Sequence, residues 1–360
     1  MVQSKILQIR SYSNPCSVGG VNRWAYPTYN KALDVLCRAS YFQTIQKRLR
    51  NGQWISTMEL AVVLSLIALS MKFVSASEWC YQSQFSCNNT CTGPNVWQEI
   101  SQNCNGRSQS PINIVTRKVH RDERLTPFQF EGYQATFHGH LINNGHTVQL
   151  ELPSGIRISG GHLTEKYKAV QFHLHWGKEG KPGSEHLIDG EQFPMEMHIV
   201  HIKEKYDSLS QAAKDRTGVA VLGFMFQESE SNNEKYSPLV DALKRISEPS
   251  SNTTLTGVSL EMFIPPQKSL TKYFRYDGSL TTPDCAEAVV WTLFESTIPM
   301  SRNQLSAFYQ LRFPDGKHMV QIYRPVQPLN GRVVYYSNGY ISLASWVLLT
   351  SSVLFSSAVL

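Results

Sequence analysis

The stretch QFHLHW, residues Gln171–Trp176, decides most of what this sequence predicts about fold and chemistry. Its apolar and aromatic residues favour a β-strand, and alternate side chains of a strand point to the same face, so His173 and His175 lie side by side. A second run, MEMHIVH at Met195–His201, has the same character. If the two strands are neighbours, His198 joins the other two imidazoles on one face of a sheet.

Three neutral imidazoles with a vacant fourth position are typical of a catalytic zinc site, whereas a structural zinc has four protein ligands. Side chains that could orient two of these rings precede them by two positions on the same strand face: Gln171 before His173 and Glu196 before His198. His175 lacks such a neighbour, so we expect a backbone carbonyl to hold its ring. The alternatives are three histidines satisfied by core hydrogen bonds, or a structural zinc, against which the absence of a fourth ligand on that face argues.

Further motifs follow one another along the chain. They are SQSPINI (Ser108–Ile114), INNGH (Ile142–His146), GSEH (Gly183–His186), SLTTP (Ser279–Pro283), VVWT (Val289–Thr292) and YRPVQPL (Tyr323–Leu329). With the two histidine runs, they resemble the α-carbonic anhydrases over about residues 78–336. The positions of Cys104 and Cys285 and an apolar C-terminal tail are most similar to the membrane-anchored type-four branch of that family.

The resemblance implies a role for each matching residue. The three histidines hold zinc, Thr281 and Glu185 form a relay that orients a zinc-bound hydroxide, and His146 is the proton shuttle, a role suited to an imidazole that titrates near neutrality. Besides Thr281, the carbon dioxide site is formed by Thr282, Val200, Val221, Leu280, Val289 and Trp291. Behind the ligands stand Gln171, Glu196, His186 and Tyr276; we expect His186 to be structural, hydrogen-bonded to Glu196 or Tyr276.

Two positions depart from the family pattern. The tyrosine that often follows a tryptophan near the family's N-terminus is not evident, because Trp97-Gln98-Glu99 stands there, and this leaves the ordering of active-site water open. Ile322 and Tyr323 replace the usual Asn-Trp before Arg324, where a backbone carbonyl still serves His175.

The N-terminal region indicates a secreted protein. An apolar run at Leu60–Leu69 followed by small residues predicts a signal peptide over 58–77, cleaved before Glu78. Residues 1–57 hold eight Lys or Arg and one Asp, a net charge of +7, whereas the whole chain has +6. We interpret them as an upstream extension or gene-model artefact; a basic cytosolic arm on a signal anchor and a nucleic-acid-binding tail are the alternatives. The remaining chain has a net charge of −1, which gives no reason to expect a nucleic-acid partner.

The C-terminal region is apolar and uncharged over Ile341–Leu360 and follows a run of small residues that begins at Ser337. This predicts a GPI-attachment signal over 337–360, with Ser337 as the attachment residue. A retained transmembrane helix is the alternative, since about 20 apolar residues suffice to span a bilayer. The expected location is therefore the extracellular face of the plasma membrane.

Seven cysteines divide into Cys16 and Cys37 in the extension and five in the domain. The resemblance pairs Cys104 with Cys285. Cys80 pairs with Cys91 or with Cys87, which leaves one odd thiol that could join two chains. Two sequons predict glycosylation at Asn88 and Asn252.

The short apolar runs, rich in Val, Ile, Phe and Tyr and separated by Gly, Pro, Asn and Ser, predict a mainly β protein. The predicted strands include Thr147–Leu152, Val170–Trp176, Glu196–His201, Val219–Phe226 and Ala288–Phe294. Helical periodicity is confined to Ser237–Ser247 and Asn303–Leu311. For residues 78–336 the resemblance implies a single domain with a large, twisted, mostly antiparallel sheet, short peripheral helices and zinc at the base of a conical cleft. It also implies the function, which is zinc-dependent reversible hydration of carbon dioxide to bicarbonate and a proton by zinc-hydroxide attack.

A non-catalytic, carbonic-anhydrase-like binding domain is the alternative function. Such relatives usually lack one or more zinc histidines, and all three are present here. A bicarbonate transporter is a candidate partner at the membrane, and the oligomeric state is left open.

Overall fold

Fifteen strands organise residues 79–84 and 91–337, the part of the chain that the computed structural model describes. They are β1 (Asn113–Ile114), β2 (His120–Arg121), β3 (Phe128–Glu131), β4 (Phe137–Asn143), β5 (Val148–Glu151), β6 (Arg157–Gly160), β7 (Tyr167–Trp176), β8 (Leu187–Ile188), β9 (Glu191–Gln192), β10 (Met195–Lys203), β11 (Val219–Ser229), β12 (Asn252–Val258), β13 (Tyr273–Gly278), β14 (Val289–Ser301) and β15 (Tyr335–Tyr336).

Twelve of these strands form one large sheet in the order β12-β4-β5-β7-β10-β11-β14-β13-β15-β2, with β3 beside β6 and β6 beside β7. A small sheet has the order β1-β8-β9. In the large sheet the pairs β11–β14 and β15–β2 are parallel and the others are antiparallel. The predicted mainly β fold with a large, mostly antiparallel sheet is therefore confirmed.

Short helices lie around the sheet in the described residues. The α-helices are α1 (Leu209–Ala212), α2 (Ser237–Leu243), α3 (Leu260–Phe263) and α4 (Arg302–Phe308), and the 3-10 helices are Pro94–Glu99, Gln102–Asn105, Thr116–Lys118, Glu234–Tyr236 and Gln267–Ser269. Ser301 caps α4 by accepting from the Gln304 backbone N–H, and the Gln304 side chain returns the bond in a capping box. Helices α2 and α4 lie where the periodicity predicts them.

Strand alternation divides the core into two apolar clusters, one on each face of the central strands. Along β10, Met197 and Ile199 belong to the larger cluster, whereas Val200 belongs to the smaller one. The smaller cluster also contains Val221 and Trp291 from the next two strands. These residues are brought together by register, because Val200 pairs with Val221, which in turn pairs with Trp291.

Two disulfides form near the N-terminal end of the described chain. Cys80 bonds to Cys91, which settles the pairing that the sequence left open, and Cys104 bonds to Cys285 across 181 residues. The predicted glycosylation residue Asn252 is exposed at the start of β12. Several predicted features lie outside the described residues: segments 1–57 and 58–77, the tail after Ser337, Cys16, Cys37, Cys87 and Asn88. Among the helices that the structure describes, none is both long and apolar enough to cross a membrane.

Candidate metal centre

Each of the three predicted zinc ligands has one ring nitrogen held by an oxygen. Nδ1 of His173 lies 2.9 Å from Oε1 of Gln171, and Nε2 of His198 lies 2.7 Å from Oε1 of Glu196. Nδ1 of His175 lies 2.8 Å from the Ile322 carbonyl oxygen. The oxygens can only accept, so each of these nitrogens carries the ring proton. The two side-chain partners and the backbone carbonyl are those that the sequence predicts.

The other nitrogen of each ring therefore presents a bare lone pair, and the three lone pairs converge. The three ligand nitrogens lie within 4.8 Å of one another, and Nε2 of His173 is 3.3 Å from Nδ1 of His198. Nε2 of His175 is buried and has no hydrogen-bond partner in residues 79–84 and 91–337. Two lone pairs facing each other cannot form a hydrogen bond, so this cluster fits a cation, and an all-imidazole donor set is suited to zinc.

Burial keeps the three rings neutral. It lowers the pKa of His173 well below its usual value, lowers that of His175 to about 4, and lowers that of His198 against the opposing charge of Glu196. Neutral imidazole is the form that binds a metal ion. The zinc ion and the conical cleft around it stay predictions for this chain.

The Glu196 carboxylate accepts hydrogen bonds from two segments, its own strand β10 and the Glu185–His186 segment. Its Oε1 accepts from His198 and from Nδ1 of His186, each at 2.7 Å, and its Oε2 accepts from the backbone N–H groups of Glu185 and His186, each at 2.8 Å. Burial raises the pKa of this carboxyl, but His186 and His198 outweigh it and hold the pKa well below 4.5. With four hydrogen bonds already accepted, Glu196 is an orienting group and not a metal ligand.

Glu185 is also fully buried and lies beside the histidines. Its Oε1 accepts from the Arg324 backbone N–H at 2.7 Å, and its Oε2 lies 3.5 Å from Nε2 of His175 without a well-formed hydrogen bond. Burial raises the pKa of this carboxyl to about 7, while the nearby His198 ring, the Arg324 backbone N–H and the Thr281 hydroxyl lower it. A cation held by the three histidines would favour the ionised carboxylate.

The Arg324 side chain anchors the backbone that holds Glu185. Its Nη1 donates to Oε1 of Gln109 at 2.8 Å and to the Ser110 carbonyl at 2.9 Å, and its Nη2 donates to the Cys104 carbonyl at 3.3 Å. The Cys104–Cys285 disulfide then joins this segment to the loop that carries Thr281.

Apolar residues surround the same face of the sheet. Val200, Val221, Val289 and Trp291 are buried, and the partly buried Leu280 packs against them. The Trp291 ring centroid lies 4.8 Å from that of His198, and its Nε1 donates to the Ser279 carbonyl at 3.0 Å. Thr282 is half-buried on the loop that follows. The structure thus brings the predicted carbon dioxide wall next to the three predicted zinc ligands.

His186 lies behind the ligands, as expected. Its Nδ1 faces Glu196 and its Nε2 lies 2.6 Å from the Tyr276 hydroxyl, which lies 2.8 Å from Oγ of Ser110. The ring is fully buried and both of its nitrogens are engaged, so its role is to orient Glu196.

Two aromatic residues at the site were missed by the sequence analysis. Trp79 stacks on His146 with ring centroids 3.8 Å apart and an interplanar angle of 11°. Tyr81 is buried, and burial together with the charge of Glu185 raises its pKa well above 10. Trp79-Cys80-Tyr81 thus places a tryptophan and a tyrosine together at the N-terminal end of the described residues, and both rings contact Trp97. The segment Trp79-Cys80-Tyr81 was visible in the sequence, but only Cys80 was interpreted, as a disulfide cysteine.

His146, the predicted proton shuttle, is half-buried under Trp79. Its Nδ1 has no hydrogen-bond partner among the residues that the structure describes, and burial lowers its pKa to about 4. In this conformation the ring is therefore neutral at pH 7, whereas a shuttle requires a ring that titrates near neutrality.

Fold and site together define an enzyme of the carbonic anhydrase class, and the sequence comparisons agree. The sequence model of the eukaryotic-type carbonic anhydrases matches residues 92–338, and the chain belongs to this family. Carbonic anhydrase 4 of Rattus norvegicus is 41% identical over 285 residues, which cover 78% of this chain and 91% of that protein.

Two further relatives support the same branch. Carbonic anhydrase 4 of Oryctolagus cuniculus is 42% identical over 284 residues (77% of this chain, 91% of the relative). Carbonic anhydrase 15 of Mus musculus is 39% identical over 280 residues, which cover 74% of this chain and 85% of that protein. The predicted resemblance to the type-four branch is confirmed. Membership of the family supports carbon dioxide hydration as the activity and carbon dioxide and bicarbonate as the substrates.

Proposed function

We propose that this chain catalyses the reversible hydration of carbon dioxide with a zinc ion held by His173, His175 and His198. The observation that carries the proposal is the convergence of three lone-pair nitrogens, one of them buried without any partner. Zinc bound there would act as a Lewis acid and generate hydroxide from water at neutral pH, chemistry for which carbonic anhydrase is itself the known example.

Thr281 and Glu185 would orient the nucleophile. The Thr281 hydroxyl can accept one hydrogen bond and donate another, and Glu185, once ionised, can only accept. If Thr281 donates its proton to a hydrogen bond with Glu185, the Thr281 oxygen can form a hydrogen bond with the attacking hydroxide only as the acceptor. That bond would orient the hydroxide so that a lone pair of the hydroxide points at the carbon of carbon dioxide. The Thr281 backbone N–H would steady the charge that develops on the product.

The residues around the nucleophile suit a small, uncharged substrate. Val200, Val221, Leu280, Val289 and Trp291 offer carbon dioxide an apolar surface, and Thr282 offers a hydroxyl at its edge. His146 would accept the proton for export to buffer after its ring leaves the stack with Trp79 and is hydrated, because hydration restores its ordinary pKa.

Chelation should abolish the activity reversibly. We expect the purified secreted protein to contain one zinc per chain and to hydrate carbon dioxide, to lose both after dialysis against a strong chelator, and to regain activity on addition of one equivalent of Zn²⁺. Zinc analysis and proton release in a stopped-flow instrument measure this. A protein that binds zinc without hydrating carbon dioxide would have the alternative, non-catalytic binding function.

Thr281→Val should separate zinc binding from catalysis. The variant removes a hydroxyl without changing the side-chain shape much, so zinc content should be unchanged while kcat/KM falls by about 10²-fold, as when one transition-state hydrogen bond is lost. Thr282→Val on the same loop is the matched control, and we expect it to lose less than 10-fold. Equal losses in the two variants would contradict the relay.

We also propose that the chain is secreted and anchored by lipid to the outer face of the plasma membrane. The support is the sequence pattern at 58–77 and 337–360 and the similarity to carbonic anhydrase 4. Ser337 is the last residue that the structure describes: its hydroxyl donates to the Thr271 carbonyl at 2.8 Å, and its N–H donates to the Tyr273 carbonyl at 3.0 Å. Release from cells by a phosphatidylinositol-specific phospholipase would support the anchor, and retention would indicate a transmembrane helix. A bicarbonate transporter on the same membrane is the proposed partner.

A further inference from the structure

A pocket with a volume of about 380 Å³ lies outside the metal centre. Three arginines line it, Arg124, Arg275 and Arg332, and we call it the arginine pocket. None of the three metal-binding histidines lines it, and of the network around them only Tyr276 does. A ligand bound in the arginine pocket would therefore contact a different set of side chains from those of the metal centre.

Arg275 is the unusual member of the arginine pocket, because only 6% of its surface is exposed and it forms no ion pair with any carboxylate that the structure describes. Its Nε and Nη2 both donate to one neutral acceptor, Oγ1 of Thr292, at 3.2 and 3.1 Å. The guanidinium lies 5.7 Å from the ring centroids of Phe128 and Tyr273. Its Nη1 has no hydrogen-bond partner in the described part of the chain. Nη1 is not among the fully buried atoms, so a donor edge of this largely buried cation is still within reach of water or of an anion.

The other charges of the arginine pocket do not supply the missing anion. Arg124 is already paired with Asp122 in a two-pronged contact at 2.9 and 2.8 Å. Arg332 donates to four backbone carbonyl oxygens and to no carboxylate. Asp277 lines the pocket, but its carboxylate forms no ion pair with any residue that the structure describes. Within the described residues Arg275 and Arg332 thus form no ion pair, and the charge of Asp277 acts on both only from a longer distance.

We propose that the arginine pocket binds a small oxyanion at the free Nη1 edge of Arg275, with Arg332 adding a second positive charge. A guanidinium presents its donors in a flat fork that matches the oxygens of carboxylate, bicarbonate, sulfate or phosphate. The volume accommodates such an ion with several waters. The binding does not depend on zinc or on the proposed reaction.

Thermal unfolding of the zinc-loaded secreted protein tests this site. At constant ionic strength, sulfate at about ten times its Kd should raise the Tm of the wild type by about 3–6 °C. Arg275→Met keeps the length and apolar contacts of the side chain but removes the donors, and it should abolish the shift. Arg245→Met is the matched control, because Arg245 also donates from Nε to a threonine hydroxyl, Oγ1 of Thr253 at 3.1 Å, but on the exposed surface.

The comparison separates the arginine pocket from other effects of the salt. An anion bound at zinc, or a general salt effect, would raise the Tm of all three proteins alike, and that result would overturn the proposal. Parallel titrations with phosphate, acetate and bicarbonate distinguish tetrahedral from planar oxyanions; a shift that depends on Arg275 with any one of them supports the site.

A crystal structure of the wild type with selenate is a second test, which does not require Arg275→Met to fold. We expect an anomalous peak within hydrogen-bond distance of Nη1 of Arg275. No peak there at a selenate concentration that raises the Tm would overturn the assignment.

Discussion

His198→Ala is expected to yield a folded protein with no stoichiometric zinc and with carbon dioxide hydration reduced by at least about 10³-fold, because two imidazoles do not hold zinc in a three-histidine geometry. The three rings form a nearly equilateral triangle: the His198 centroid lies 5.2 Å from that of His173 and 4.7 Å from that of His175, and the latter two lie 5.0 Å apart. Zinc content by mass spectrometry and stopped-flow hydration measure both effects on one sample.

His201→Ala is the matched control for this variant. His201 lies on the same strand β10 and is equally buried, but its Nε2 faces the Tyr133 hydroxyl at 2.8 Å on the other side of the sheet. We expect His201→Ala to retain one zinc per chain and near-normal turnover, with a lower Tm from the lost hydrogen bond. If both variants lost zinc, or neither did, the assignment of the ligands would be wrong.

Glu196→Ala is expected to be the most destabilising single change at the site. It leaves four donors without an acceptor in a buried position, including backbone N–H groups of Glu185 and His186. Breaking such a buried charged network costs about 3–5 kcal/mol in the free energy of unfolding and should lower the Tm by roughly 10 °C. Zinc affinity should fall by about 10- to 100-fold, because His198 loses the partner that fixes its ring.

Urea unfolding as a function of pH provides a second signature of Glu196. The folded pKa of this carboxyl is held below its ordinary value, so its contribution to stability is complete above about pH 5 and is lost as the pH falls through the folded pKa. The difference between wild type and Glu196→Ala should therefore be full at pH 7 and shrink in acid. Glu191→Ala, at an exposed carboxylate on β9, should change stability by less than about 0.5 kcal/mol. Equal stability of the two variants would exclude the network as a source of stability.

The strands that carry the site could be predicted because their apolar runs are long. Glu196–His201 was predicted where β10 spans Met195–Lys203, and Ala288–Phe294 where β14 spans Val289–Ser301. The end of β14 was missed because exposed polar residues follow Phe294, and because its pairing with β11 shifts register between Phe224 and Phe226. Partners on a neighbouring strand, and not local pattern, keep that segment extended.

The candidate site was predictable to the extent that its residues lie two apart on a strand or match a family motif. Contacts between distant segments were not. The stacking of Trp79 on His146 joins residues 67 positions apart in the sequence, and no local periodicity signals it. The same holds for the arginine pocket, whose three arginines come from separate parts of the chain and share no motif.

The long disulfide has a mechanical consequence. Cys285 lies in the loop of Thr281, and Cys104 provides the carbonyl that holds Nη2 of Arg324, whose backbone N–H in turn holds Glu185. Both halves of the proposed relay are therefore fastened to the same short N-terminal segment. When thermal motion displaces that segment, we expect the Thr281 hydroxyl and the Glu185 carboxylate to move with it. The distance between the two groups is then preserved while the rest of the domain fluctuates.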